Sequence, residues 1–528
     1  MADPADHYGR LSASPTLPHG RGRGSAFDVA ELYTGPAPTG TAADQSDSDL
    51  DERLRQAYFW IVNHAIISPH YDLEYQGSRA PQVFQIGDSK AEFSLPGGQS
   101  YSSFVLIPLI TFALRRRCLL VGGPGRGKTA TAILLGMMAG YSLKQVRRSM
   151  QHGQPQMTIA DLLGNPLPAD LLKAEKSADI RIAWREWLGL RVKIIDEYNR
   201  IPTRTQSALL TVMGDGYAEI MDQIYECPES AWFLTANDDA GGGTYQVIEA
   251  LRDRIDVVVK TLHFVPRFLD ELMYRIEQDV RPEQAIPPEI KFAEAEVDAM
   301  GEAIRAVPVA LPLRRRLEFF VSQFEFFEPA ADKFEYRSKD TARLSGLPFN
   351  EMAARESGKD QMRDLGSQTT NGLSVRALMT ILLYAKGIAW FRGQAQVGIE
   401  DLRNVLPFVL HDRLVPFHEA AFFDAEQNAN FKSDRVGWIN KLWDLSCAEY
   451  DQQDRDNNDS VAYLADEMAQ GLDGLSEQEV ERRLNRIEQL IGELTRGRKL
   501  YGPLWDDLLT LKYLHQRYRN YLDWLVGK

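Results

Sequence analysis

The stretch GGPGRGKT, Gly122 to Thr129, limits what this chain can fold into more than any other. It satisfies the phosphate-loop pattern G-x-x-x-x-G-K-[ST] at every fixed position. Its flanks fit as well. The short apolar run Cys118 to Val121 precedes it as a buried strand would, and TAILLGMMA follows as an apolar helix of good helix formers. A strand that feeds a glycine-rich turn and then a helix aims backbone N–H groups and the positive helix end at one point, an anion site for a polyphosphate. Glycine is needed where such a loop takes positive φ and lies close against phosphates. The pattern gives the nucleotide-binding role to Gly122, Gly123, Pro124, Gly125, Arg126, Gly127, Lys128, Thr129 and Ala130. Lys128 is expected to reach the β- and γ-phosphates and the Thr129 hydroxyl to hold Mg²⁺. A chance glycine-rich turn is the alternative, and the strand and helix on either side argue against it. The chain is expected to bind a nucleoside triphosphate.

At 528 residues the chain is too long for one ordinary domain. A formal charge of −14 argues against a general nucleic-acid binder, which needs clustered cations, though a local basic groove is compatible with it. Cys118, Cys227 and Cys447 lie far apart, without metal-ligand spacing, and point to a reducing compartment. No apolar run approaches a membrane span and no signal-peptide core opens the chain, so a cytoplasmic protein is the simplest expectation.

The expected organisation starts with a disordered tail over 1–50, rich in Gly, Pro, Ser and Asp. An N-terminal extension follows over 51–103, with a helix at 54–67 and brief apolar pieces after it. An α/β core spans 104–265 and opens on a buried helix, FVLIPLITFAL. Within it, VKIIDE (192–197) reads as a strand ending in two acids, at the strand end where open α/β sheets hold ligands. Asp196 is placed to bind the Mg²⁺–water shell and Glu197 to orient and deprotonate an attacking water. A strand ending at a solvated acidic turn is the bland alternative; the preceding phosphate loop favours the functional one. Lys193 interrupts this strand and is expected to snorkel to an edge. A third strand, SAWFLTAND, closes on Asn237, a polar residue that can reach the water and the γ-phosphate.

The run IIDEYNRIPTRTQSALLTVMGDG resembles the D-E-[IV]-N-R-x-x-x-x-x-Q-x-A-L-L-x-x-M segment of the MoxR branch of AAA+ ATPases, which includes the related CbbQ and NorQ activators. The resemblance continues through LTAND, through GGTYQVIEALRDRID and through NGLSVRALMTILLYAKGIAWF with the helices after it. It implies an AAA+ P-loop core with a parallel sheet and an α-helical lid. By resemblance Asn237 matches sensor 1, and Arg376 matches the sensor-2 arginine that touches the γ-phosphate from the same subunit's lid. Arg254 matches the arginine finger for the neighbouring subunit, with Arg252 as competitor; surface salt bridging is the bland reading of all three arginines. The family usually has Asn-Pro after sensor 1, whereas Asp238 and Asp239 stand here.

The resemblance further implies ATP with Mg²⁺, a homo-oligomeric and most simply hexameric ring, and a chaperone-like action on a partner that often carries a von Willebrand factor A domain. Two alternatives compete. An McrB-like GTPase motor shares I-D-E-x-N-R but should show Met-Asn-x-x-Asp where this chain reads LTANDD. A nucleotide-dependent scaffold of a defence or signalling assembly would make turnover incidental. The lid is expected over 266–420, with an insertion at about 325–370 that matches no family pattern and reads as a mobile loop or partner contact. The remainder, 421–528, reads as a helical region. Ser476 and Glu479 open one of its helices, and apolar stripes suggest a hairpin packed on a partner or on its own lid.

Overall fold

The computed structural model describes residues 50–87, 92–173, 179–237, 247–353, 363–497 and 499–527. The tail expected before Leu50 therefore lies outside the described residues, as do Asp238, Asp239 and the glycine-rich loop after them.

Five strands form the central sheet: β1 (Arg117–Val121), β2 (Met150–His152), β3 (Val192–Asp196), β4 (Ala231–Ala236) and β5 (Val257–Lys260). All run parallel, in the order β5-β1-β4-β3-β2. β4 is buried along its whole length, as an unbroken apolar strand covered on both faces must be. Successive side chains point to opposite faces, so Cys118 and Leu120 enter one apolar cluster while Leu119 enters another. The register sets Ala236 beside Val121 and His152 beside Asp196, which brings these carboxyl ends to one edge.

On the first face lies α1 (Ser103–Leu114), buried nearly all round, as its uniformly apolar sequence requires. Beside it runs α2 (Lys128–Met138), which starts in the phosphate loop. α3 (Thr203–Gly214) covers the second face, and α4 (Glu249–Arg254) precedes β5. The helices α5 (Glu294–Ala306), α6 (Leu311–Glu325), α7 (Val375–Phe391), α8 (Ile399–Leu410) and α9 (Arg435–Gln452) join the first cluster rather than forming one of their own. α7 crosses α1 at Gly387, where a Cβ would lie 2.5 Å from Ile110. The helix expected at 54–67 begins earlier, at Leu50, and ends in a π turn over Ile61–Ala65.

α10 (Ser460–Ala469), α11 (Glu477–Thr495) and α12 (Gly502–Val526) enclose a separate apolar cluster. The Ser476 hydroxyl accepts the Glu479 N–H, as the sequence pattern predicts. The stripes Val480, Leu484, Ile487 and Leu511, Leu514, Tyr518 pack on each other and with α10 of the same chain. Gly502 lets α12 close on α6, since a Cβ there would stand 2.4 Å from the Ser322 carbonyl.

Two expectations change. Described residues 326–353 are packed, because their aromatic side chains find partners. Phe327 stacks on Phe349 at 4.7 Å, Phe326 meets Trp505 of α12, and the Trp505 indole donates to the Phe334 carbonyl. Lys193 does not snorkel to an edge. β3 lies between β4 and β2, so the side chain is wholly buried; its ammonium donates to the Leu190 carbonyl and the Ser230 hydroxyl and lies over the Trp232 ring.

Candidate active site

Backbone geometry builds the phosphate loop. Gly122 has φ +149° and touches the chain beyond β5, where a Cβ would meet the Thr261 hydroxyl at 1.9 Å. Gly125 and Gly127 have φ +71° and +78°, and nothing stands within 4 Å of where their side chains would be. The loop is thus closed toward the sheet and open on the other side. α2 starts at Lys128 with no side-chain cap, which leaves its first N–H groups for an anion.

Lys128 is buried, and its ammonium donates to the Gly122 carbonyl (2.6 Å), the Gly123 carbonyl (2.8 Å) and Asn237 Oδ1 (2.9 Å). Thr129 Oγ1 donates to Asp196 Oδ1 at 2.8 Å. Thr235 Oγ1 donates to the same oxygen at 2.7 Å and accepts the Glu197 N–H at 2.9 Å. Asn237 Nδ2 donates to Glu197 Oε1 at 2.9 Å, while Arg200 Nε lies 3.2 Å from Glu197 Oε2. His152 Nδ1 stands 3.4 Å from Asp196 Oδ2. Glu197 itself is left-handed, with φ +53°. The chain leaving β2 crosses against it so closely that a Cβ on Gly153 would lie 2.2 Å from the Glu197 carbonyl.

Lys128, Thr129, Asp196, Glu197 and Asn237, drawn from two strand ends and one helix start, are therefore joined in one hydrogen-bonded group. The arginines stand apart from it. Arg376 pairs with Asp253, and Arg254 donates to the Ala250 carbonyl and lies against Gly214, with Asp215 4.0 Å away. Arg252 is exposed. Sequence reasoning assigned no role to Thr235, Arg200, His152 or Arg413. Thr235 and Arg200 lie within the recognised motif segments, so position alone could have raised them; His152 becomes a neighbour of Asp196 only through the β2–β3 pairing.

An open glycine cradle at a helix start, one buried ammonium and a set of hard oxygens on Thr129 and Asp196 suit a polyphosphate with a divalent cation. Comparison with known proteins agrees. Residues 117–257 match the family described as "ATPase family associated with various cellular activities (AAA)", and residues 366–433 match the AAA lid domain. Chaperone MoxR1 of Mycobacterium tuberculosis (strain ATCC 25618 / H37Rv) is 24% identical over 313 residues, which cover 59% of this chain and 71% of that protein. These matches support a MoxR-type AAA+ ATPase. A solved structure of a candidate ATPase from Cytophaga hutchinsonii ATCC 33406 is 19% identical, covers 65% of this chain and 88% of its own, and superposes with a TM-score of 0.44, too low to carry an argument. The family match accords with the MoxR-type segments around Glu197 and Arg376, and an AAA ATPase domain implies nucleotide binding. Among the described residues no helix is long and apolar enough to cross a membrane.

Proposed function

We propose that this MoxR-type protein hydrolyses ATP at the interfaces of a homo-oligomeric ring and uses the cycle to remodel or activate a partner protein. The observation that carries the reading is the bonded chain Thr129–Asp196–Thr235–Glu197–Asn237 beside an open phosphate loop. Lys128 and the loop N–H groups bind the phosphates. Thr129 and Asp196 hold Mg²⁺, which when bound supplies charge neutralisation on the phosphates. Asn237 orients the Glu197 carboxylate, and Glu197 takes the proton of the attacking water at Oε1 or Oε2. Arg376 serves the γ-phosphate from the lid of the same subunit.

Arg254, with Arg252 as the competing side chain, completes the neighbour's site and stabilises charge on the transferring phosphoryl group. Neither arginine touches its own chain's Lys128–Glu197 group among the described residues, which suits a residue that acts on the next subunit. Adenine, a hexamer, a cytoplasmic setting and a von Willebrand factor A partner rest on resemblance; the chaperone MoxR1, a similar protein, is in keeping with the remodelling role.

Mixing variants tests the arrangement. Glu197→Gln and Arg254→Ala should each bind ATP and each turn over slower by on the order of 10²–10⁴. Mixed rings place an intact Arg254 beside an intact Glu197 at some interfaces, and activity should partly return. Subunit exchange without recovery would remove Arg254 from the neighbour's site and put Arg252 under test.

A further inference from the structure

The six residues of α4 carry Arg252, Asp253 and Arg254 in succession, and the face between the two arginines is fastened to the lid. Arg376, at the start of α7, pairs with the Asp253 carboxylate, both groups about half exposed. Arg413, just after α8, is only 7% exposed in its side chain. Its Nη2 donates to the Asp253 carbonyl at 3.0 Å and to the Ile255 carbonyl at 2.8 Å, and its Nε lies 4.0 Å from Asp253 Oδ1. Arg413 Nε and Nη1 have no hydrogen-bond partner among the described residues, so the fork is committed to this helix end. A cation at the last carbonyls of a helix is favourably placed.

Next along the chain, Asp256 accepts from Thr380 of α7 at 3.2 Å and from the Arg117 N–H of β1 at 3.0 Å. Away from the lid, Arg254 rests on Gly214 of α3. The segment 253–256 is thus held from three lid positions, Arg376, Thr380 and Arg413; of the two arginines proposed for the neighbouring site, Arg254 lies within it and Arg252 directly before it.

We propose that Asp253 is a positioning residue that couples the lid to the arginines on either side of it. The inference rests on the reading of Arg376 and Arg254 given above. In one subunit, Arg376 divides its charge between Asp253 and the γ-phosphate. While Asp253 holds Arg376, α4 is anchored and presents its arginines to the next subunit; a phosphate that draws Arg376 away releases that tie and loosens them. The nucleotide bound in one site in this way sets the arginine that serves the next.

Asp253→Asn keeps the shape of a half-exposed side chain and removes the charge, so the fold should stand. Arg376 is then undivided, and ATP should bind two- to fivefold tighter by fluorescence titration, the range of an exposed ion pair. Turnover should nevertheless fall about tenfold, because α4 loses its anchor. A side chain with only a structural role would not tighten binding while slowing turnover. Mixed with Glu197→Gln, which supplies sound arginines, Asp253→Asn should recover turnover; mixed with Arg254→Ala it should not. ATP affinity equal to or weaker than wild type, or recovery with Arg254→Ala, would overturn the proposal. Wild-type protein without any turnover would sink the ATPase reading instead, and the affinity comparison would still decide the coupling.

Discussion

Glu197 is one of seven described non-glycine residues with positive φ, and the one that stands in the candidate site. Such a conformation costs on the order of 1–3 kcal/mol and persists only where neighbours hold it. Here the Thr235 hydroxyl accepts the Glu197 N–H and donates a hydrogen bond to Asp196, so one side chain fixes both acids. Thr235→Val keeps the shape and removes both bonds. It should lower kcat for ATP about 10- to 100-fold, leave the Kd for ATP within a factor of about two, and cost about 1–2 kcal/mol in a urea titration. Unchanged kcat would mean that Thr235 serves the strand end alone. At this scale the sequence was legible where a motif names the residue: Lys128, Thr129, Asp196, Glu197 and Asn237 meet as their spacing implies. It was silent on the Arg376–Asp253 pair, because a surface carboxylate becomes specific only once separate elements are brought together; Thr235 lay within a recognised segment, but its bonds to both acids appear only when β4 pairs with β3.

Among the elements, β3 shows how a pattern can be read correctly and one of its residues wrongly. The run of β-branched residues predicts a covered strand, and a covered strand leaves Lys193 no route to water. Burial pushes the ammonium down to about 8 from the ordinary 10.5. The charged form is therefore penalised in the folded protein. The penalty is complete below about pH 8 and is relieved as pH rises toward the ordinary value, because the unfolded chain then binds the proton that the folded chain has released. Lys193→Met should stabilise the protein by about 1–3 kcal/mol at pH 7, less whatever the bonds to Leu190 and Ser230 contribute. The gain should shrink toward zero near pH 10 in denaturant titrations at the two pH values. A destabilised variant at pH 7 would show that those bonds outweigh desolvation. The C-terminal stripes tell the converse story. Their spacing predicts helices, but what covers them is settled by the fold: the two stripes meet each other and α10, which adds Val461, Leu464, Ala465 and Met468.

At the scale of the whole molecule, the sheet separates two apolar clusters, and the lid shares the larger of them with α1 and α2. The lid is therefore packed continuously with the helix that starts in the phosphate loop and is bonded, through Arg376 and Arg413, to α4. The α/β core with its helical lid was readable from the order of motifs; the continuity of lid and core was not, since it depends on close crossings such as Gly387 over Ile110. The arginines of α4 stand apart from their own phosphate loop; on the proposed reading a single copy holds an incomplete site, and assembly and turnover should rise together. The decisive measurement is steady-state ATP hydrolysis per subunit over a wide range of protein concentration, with assembly followed by light scattering. The account predicts negligible turnover in dilute monomer, a rise to a plateau as rings form, and a flat baseline for Glu197→Gln that nonetheless binds ATP. A monomer that hydrolyses ATP at the plateau rate, or Glu197→Gln as active as wild type, would contradict it.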